Sequence, residues 1–339
     1  AIDGSRFKAV NTRDKNYTHG AIARRVEQVE ASIARYLSAL DTADRQEGEV
    51  AEAKSARLKD KLARLKRRMQ HLREMEIAVQ AAPDRQISLT DPDARAMATS
   101  GKGTGIVGYN VQTAVDAEHH LIVAHEVTNQ GHDRSQLAPM ALKAQEATGN
   151  KEITVLADRG YFSGDQVLSC EGTGIAPIVP KTLTSSGTKR GLFTRQDFIY
   201  DAEHDHYTCP AGAKLTKANR RADHTEDLDF YRHLSACFTC PLKSRCTPTK
   251  LRRIKRWVNE DVLDRMQDRL DRMPEAMGVR RQTVEHPFGT LKAWMGATHF
   301  LTRTLDKVRT EMSLHVLAYN IKRVIAIIGV EPLMAAIRT

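Results

Sequence analysis

Glu152-Ile153-Thr154-Val155-Leu156-Ala157-Asp158-Arg159-Gly160-Tyr161 is the stretch on which the fold turns. Glu152 to Ala157 is a short apolar run rich in β-branched residues, which reads as a buried strand. Asp158 ends it, and Arg159-Gly160-Tyr161 makes a sharp exit from a sheet. Just upstream, Ser135 to Thr148 reads as a helix. Before that, Gly108 to Val115 and Leu121 to Val127 read as two strands joined by a turn at Asp116 to His120. Ile2-Asp3-Gly4-Ser5-Arg6-Phe7 also reads as a strand, with no cap or turn ahead of it, so the chain looks cut at its start. The order strand, helical insert, strand, strand, helix, strand predicts an α/β fold.

The helical insert runs from about Ala21 to Val79, where Ala, Glu, Lys, Arg and Leu dominate and breakers are few. Val26, Val29, Ile33, Leu37 and Leu40 form one apolar stripe. Leu58, Leu62, Leu65, Met69 and Leu72 form a second at alternating steps of four and three. Two helices are expected, with a break between Asp41 and Glu49 at Gly48, their stripes burying each other as a hairpin. The cluster Lys59, Lys61, Lys66, Arg67, Arg68 leaves open a dimerising or DNA-gripping arm.

After a loop from Pro83 to Asp93, the glycines of Ser100-Gly101-Lys102-Gly103-Thr104-Gly105 read as a linker, because no Gly-Lys-Ser/Thr and no helix follow them. Pro180 to Lys250 is polar and poorly periodic, and is expected to be an insertion or small subdomain. Glu260 to Arg272, Val279 to Met295 and Lys307 to Ile328 carry helical periodicity. On the last of these, Val308, Met312, Val316, Leu317 and Val324 form a core face.

The 339 residues carry a net charge of +10, which favours a polyanionic partner, nucleic acid first and an anionic membrane surface second. No run approaches the roughly 18 apolar residues of a membrane span, and the first residues lack the charged, apolar and small-residue regions expected of a signal peptide. An intracellular protein is expected. Of five cysteines, Cys209, Cys237, Cys240 and Cys246 are gathered together, which suits reduced thiols or a metal site better than a disulfide framework. The two-residue gap between Cys237 and Cys240 matches a tetrahedral zinc corner. The four are therefore a candidate structural zinc site, with His204, His206 or His233 as substitutes for one ligand, and unligated thiols as the alternative.

Asp3 and Asp158 sit where a metal enzyme places carboxylates, on a strand that fixes the side chain and at an edge open to substrate. Either acid alone is more simply a turn or helix cap. Glu285 lies in Arg281-Gln282-Thr283-Val284-Glu285-His286-Pro287-Phe288-Gly289-Thr290-Leu291-Lys292, a helical stretch interrupted by Pro287. Arg281 stands one turn before Glu285 and Lys292 two turns after, so all three are expected on one side. A plain salt-bridge ladder would also place them so.

Together, Ile2-Asp3-Gly4-Ser5, Leu156-Ala157-Asp158-Arg159-Gly160-Tyr161 and Arg281 to Lys292 resemble the three catalytic blocks of bacterial insertion-sequence transposases with an Asp-Asp-Glu triad. Thr90-Asp91-Pro92-Asp93-Ala94-Arg95, Gly108-Tyr109-Asn110-Val111-Gln112 and Asp133 are similar to the text between the first two blocks in one subgroup. That subgroup also carries a Tyr three positions before the Arg, where this chain has Gly278.

The resemblance implies an RNase H-like mixed sheet flanked by helices, with an inserted helical hairpin and a cysteine-bearing insertion. On this reading residues 1–20 hold the first strand, 21–82 the hairpin, 83–180 the catalytic core, 181–250 the cysteine-rich insertion and 251–339 the helical part bearing the Glu. Asp3, Asp158 and Glu285 would hold Mg²⁺ or Mn²⁺, while Arg281 and Lys292 would bind double-stranded DNA. The activity implied is metal-dependent cleavage and strand transfer at transposon ends by a homodimer, in the cytoplasm at the nucleoid. The family's helical end-binding region before the first Asp would be missing, leaving a fragment. A non-catalytic DNA-binding remnant is the alternative, and a stand-alone RNase H-like nuclease the third reading.

Overall fold

The computed structural model describes residues 1–11, 15–45, 49–99, 105–182, 190–218 and 228–338. In chain order the elements are β1 (Ile2–Lys8), β2 (Asn16–Thr18), α1 (His19–Asp44), α2 (Glu49–Ala81), β3 (Gln86–Ser88), β4 (Arg95–Ala98), β5 (Gly105–Val115), β6 (Ile122–Thr128) and α3 (Leu137–Thr148). Then come β7 (Ile153–Leu156), α4 (Gly164–Glu171), β8 (Ile175–Ile178), β9 (Ile199–Asp201), β10 (His206–Thr208), β11 (Lys214–Lys217), β12 (Leu228–Arg232), α5 (Lys243–Cys246) and β13 (Ile254–Trp257). The chain ends with α6 (Glu260–Arg272), α7 (Ala276–Gly289), a π turn (Thr290–Trp294), α8 (Leu305–Ile328) and α9 (Val330–Ile337). The fold is mixed α/β. Among the described residues no helix is long and apolar enough to cross a membrane.

Two compact units divide the chain. Asp3–Asp133 with Thr283–Thr339 is called here the hairpin unit, and Ala1–Ile2 with Arg134–Gln282 the cysteine unit.

In the hairpin unit, β5 lies between β1 and β4, and β6 also pairs with β5, running antiparallel from Asn110↔Thr128 to Val115↔Ile122. Every residue from Val107 to Val115 is buried. Val107, Tyr109 and Val111 join a core with Phe7, Phe288, Phe300, Val308, Met312 and Val316. Asn110 and Gln112, on the other face, are held by Asp133.

Leu317, expected in the core face of α8, is 55% exposed, and Tyr319 is buried in its place. Asp91 and Asp93 have structural work at the start of this helix. Asp91 accepts from the Thr304 amide at 3.1 Å and from the Tyr109 hydroxyl at 2.9 Å, and Asp93 accepts from the Leu305 amide at 2.8 Å. Carboxylates there satisfy amides that have no partner within the helix and complement its dipole.

Helix α1 starts on Thr18, whose hydroxyl accepts from the Ala21 amide at 3.3 Å. It packs antiparallel on α2: Ile22 and Val29 meet Met69, Leu72 and Val79, while at the other end the Ser55 hydroxyl donates to Asp44. Leu37 departs from the expected stripe and is 46% exposed. The seam passes instead through half-buried Tyr36, whose ring lies 5.4 Å from the Lys61 ammonium, and one residue's step of about 100° turns Leu37 outward. The break between the helices includes residues 46–48, and the glycine-rich linker residues 100–104; both stretches lie outside the described residues.

In the cysteine unit β7 and β8 are parallel, Ile153↔Ile175 to Leu156↔Ile178, with α4 in the crossover between them. Leu156, Ile178 and Ala276 pack with Leu270, Met273 and Val279. The segment expected to lack periodicity forms an antiparallel sheet in the order β13-β12-β11-β10-β9 around Phe198, Tyr207, Leu215, Tyr231 and Ile254. These strands have three to five residues each, too short for a period of two to show in the sequence.

Candidate active site

Asp3 lies on β1, and alternation puts Asp3, Ser5 and Phe7 on one face of that strand. The Lys292 ammonium reaches this face. It donates to Ser5 Oγ at 2.6 Å and to the Arg6 carbonyl at 2.9 Å, and stands 4.4 Å from the centre of the Phe7 ring. Half-buried there, Lys292 has its pKa lowered by desolvation.

The opposite face of β1 holds an acid not assigned a role from sequence. Asp133 accepts from the side-chain amides of Asn110 and Gln112, both at 2.7 Å. A Cβ on Gly4 would stand 2.8 Å from its carboxylate, so a residue with no side chain lets Asp133 approach the strand. The available signal was Asn110 and Gln112, two amides at alternate positions of an otherwise apolar strand.

Glu285 is exposed on α7 and, among the described residues, its side chain makes no hydrogen bond or ion pair. It lines a cavity with His286, Trp294, Tyr319, Lys322 and Arg323. His286 Nδ1 lies 2.9 Å from the Tyr319 hydroxyl, which itself donates to the His120 carbonyl at 2.7 Å. The Tyr319 proton is thereby used, so His286 Nδ1 is the donor and carries the hydrogen. Burial first, then Arg323 and His120, lower the His286 pKa.

Pro287 does not end α7. The helix runs on to Gly289 and widens into the π turn, closed by the Met295 amide on the Thr290 carbonyl at 2.9 Å. Counting in α-helical turns put Arg281, Glu285 and Lys292 on one side, but the wider turn breaks that phase and Lys292 goes to β1. The ladder of ion pairs through Glu285 therefore does not form. Arg281 is exposed on the same helix, and the space where a side chain on Gly278 would begin is open.

Asp158, in the cysteine unit, stands two residues past the end of β7. Its Oδ1 accepts from the Gly160 amide at 2.8 Å, which caps the turn Arg159–Tyr161. Its Oδ2 lies 3.8 Å from Arg280, and the side chain is 47% exposed. One oxygen thus serves the turn while the other faces out. Exposed carboxylate oxygen is the hard donor type that Mg²⁺ and Mn²⁺ take, and Asp158 and Glu285, each within its own unit, offer that donor type.

Elsewhere in the cysteine unit, Cys209, Cys237, Cys240 and Cys246 line one cavity together with His233. All are free thiols. His204 and His206 stand apart from that set and with Asp201, the ligand atoms of the three lying within 4.8 Å of one another.

The family model described as the transposase DDE domain matches residues 79–321, a span that includes Asp133, Asp158, Arg281, Glu285 and Lys292. No curated protein and no solved structure matches the chain.

Proposed function

The chain belongs to the transposase DDE-domain family, and on that footing we propose that it cuts and joins DNA strands at transposon ends, with Asp3, Asp158 and Glu285 as the ligands of Mg²⁺ or Mn²⁺. The observation that carries this reading is the state of Glu285: exposed, without an ion-pair partner among the described residues, and in a cavity with Lys322 and Arg323. A carboxylate kept for structure alone would be expected to pair with such cations. Paired divalent ions would supply an activated water or 3′ hydroxyl and stabilise the leaving oxygen.

The chain's own residues divide the remaining tasks. Lys292 holds the strand that bears Asp3, through Ser5 and Arg6. Arg281, exposed, offers a fork to backbone phosphate. Two copies, one per transposon end, would bring the ends together.

We read the fold as RNase H-like. The antiparallel strands β4, β5 and β6 with β1 beside β5, and the parallel pair β7 and β8 with its crossover helix, are the strand types such a sheet contains. The α1–α2 hairpin and the β9–β13 sheet are then insertions.

The test is strand nicking on a cognate end. Cleavage should require Mg²⁺ or Mn²⁺ and be lost in Glu285→Gln, with folding and DNA binding kept. Wild-type cleavage by that variant would overturn the assignment.

A further inference from the structure

We propose that Cys209, Cys237, Cys240 and Cys246 bind a structural zinc ion that closes one end of the β9–β13 sheet. The four are separated by up to 37 positions (246 − 209), yet all face one cavity. Three short backbone turns present them. Cys209-Pro210-Ala211-Gly212 is a tight turn in which the Gly212 amide donates to the Cys209 carbonyl at 2.8 Å, with Gly212 at φ 77°. Cys237 and Cys240 flank a two-residue gap, and the Lys243 amide donates to the Cys240 carbonyl at 3.2 Å. Cys246 ends α5, with its carbonyl accepting from Arg252 at 3.2 Å.

The surroundings suit a metal with four thiolates. Such a centre is net negative, and Lys243 and Arg252 line the same cavity. Cys209 and Cys246 pack against the aromatic core of the sheet, so a bond between their elements would staple it. A core this small, on strands this short, is the kind that natural domains reinforce with disulfides or metal.

No three of the sulfurs lie within 4.8 Å of one another, since Asp201, His204 and His206 are the group that meets that distance among the described residues. Zinc–sulfur bonds of about 2.3 Å would place the sulfurs about 3.8 Å apart. Binding would therefore draw the cavity closed, with each thiol releasing its proton to solvent. The Asp201 group has a different explanation: its Oδ1 accepts from the Glu203 and His204 amides at 3.1 Å, the pattern of a turn between β9 and β10. It serves as the control.

Full-length protein purified without chelator should contain about one zinc per chain. Cys240→Ser should lose it, and Asp201→Asn and His204→Ala should keep it. Replacing zinc with Co²⁺ in the unsubstituted protein should give the visible bands of a tetrahedral centre and thiolate-to-metal charge transfer in the near ultraviolet. That readout needs no variant, and Mg²⁺ or Mn²⁺ at the catalytic carboxylates cannot produce it. Absence of thiolate charge transfer on cobalt loading would overturn the proposal, as would zinc that departs with His204 rather than with Cys240.

Discussion

Lys292 donates to the Ser5 hydroxyl at 2.6 Å, which joins the turn of helix following Glu285 to the strand that carries Asp3. A hydrogen bond involving a charged donor contributes about 1.5–3 kcal/mol when buried, and less when half-exposed as here. Lys292→Met should lower stability by about 1–2 kcal/mol, and Ser5→Ala by less, because the Arg6 carbonyl remains as acceptor. Urea unfolding of the two single variants and the double variant measures the coupling. Strictly additive losses would mean the pair does not act as a unit.

Asp158 performs two tasks that substitution can separate. Asn keeps an oxygen for the Gly160 amide, whereas Ala removes it. Asp158→Asn should therefore retain wild-type stability and lose cleavage, while Asp158→Ala should lose cleavage and also about 1 kcal/mol of stability. Should Asp158→Asn cut DNA at the wild-type rate, the acid would be only a turn cap.

His286 has its pKa lowered in the folded state, chiefly by burial, so on acidification the unfolded chain takes up the proton first. Stability should then be fully present above the ordinary histidine value of 6.5 and decline as pH falls through it. Replacing His286 with Gln, which can still donate to the Tyr319 hydroxyl, should flatten the profile between neutral and mildly acidic pH. Melting curves across that range decide it, and equal slopes in both proteins would rule out this histidine as the cause.

Gly108 permits a close approach of two strands. A Cβ there would lie 2.0 Å from the Phe7 carbonyl oxygen, which is backbone and cannot swing aside. Gly108→Ala should cost about 3 kcal/mol, near the upper range for overpacking. A loss of unfolding free energy below about 1 kcal/mol would show that β1 and β5 can separate freely.

Arg281 is the exposed cation on the Glu285 helix. If it meets a phosphate, Arg281→Ala should reduce the dependence of log affinity on log salt by about 0.9, with any preference for the transposon end unchanged. Filter binding or anisotropy over a salt series reads the slope directly. An unchanged slope would leave this position outside the DNA interface.

Local chemistry explains what was legible in the sequence. A β-branched run ended by Asp158 and a glycine turn announces itself within ten residues, and so do the periodic helices α1, α2 and α6. Asp133 did not, because its significance comes from amides 21 and 23 positions away that fold back onto it. Lys292 was placed on one side with Arg281 and Glu285 by spacing, which assumes one helical pitch. Phe288 and Leu291, beside and within the wide turn, pack into a core shared with distant residues of β1, β5, β6 and α8. Likewise Asp91 and Asp93 resembled only the text between two blocks of a family, and the arrival of α8, more than 200 positions later, shows them to be helix caps.

The π turn at Thr290–Trp294 makes the interval between Glu285 and Lys292 an angular setting rather than a length. An α-helix advances about 100° per residue, so removing one residue from the wide turn could restore ordinary helix without breaking the chain's path. The same deletion would swing the Lys292 ammonium about a quarter-turn away from Ser5. Drift in this segment could therefore leave a folded protein of nearly unaltered outline whose two halves of one site had lost their phase, a failure that folding measurements alone would pass over.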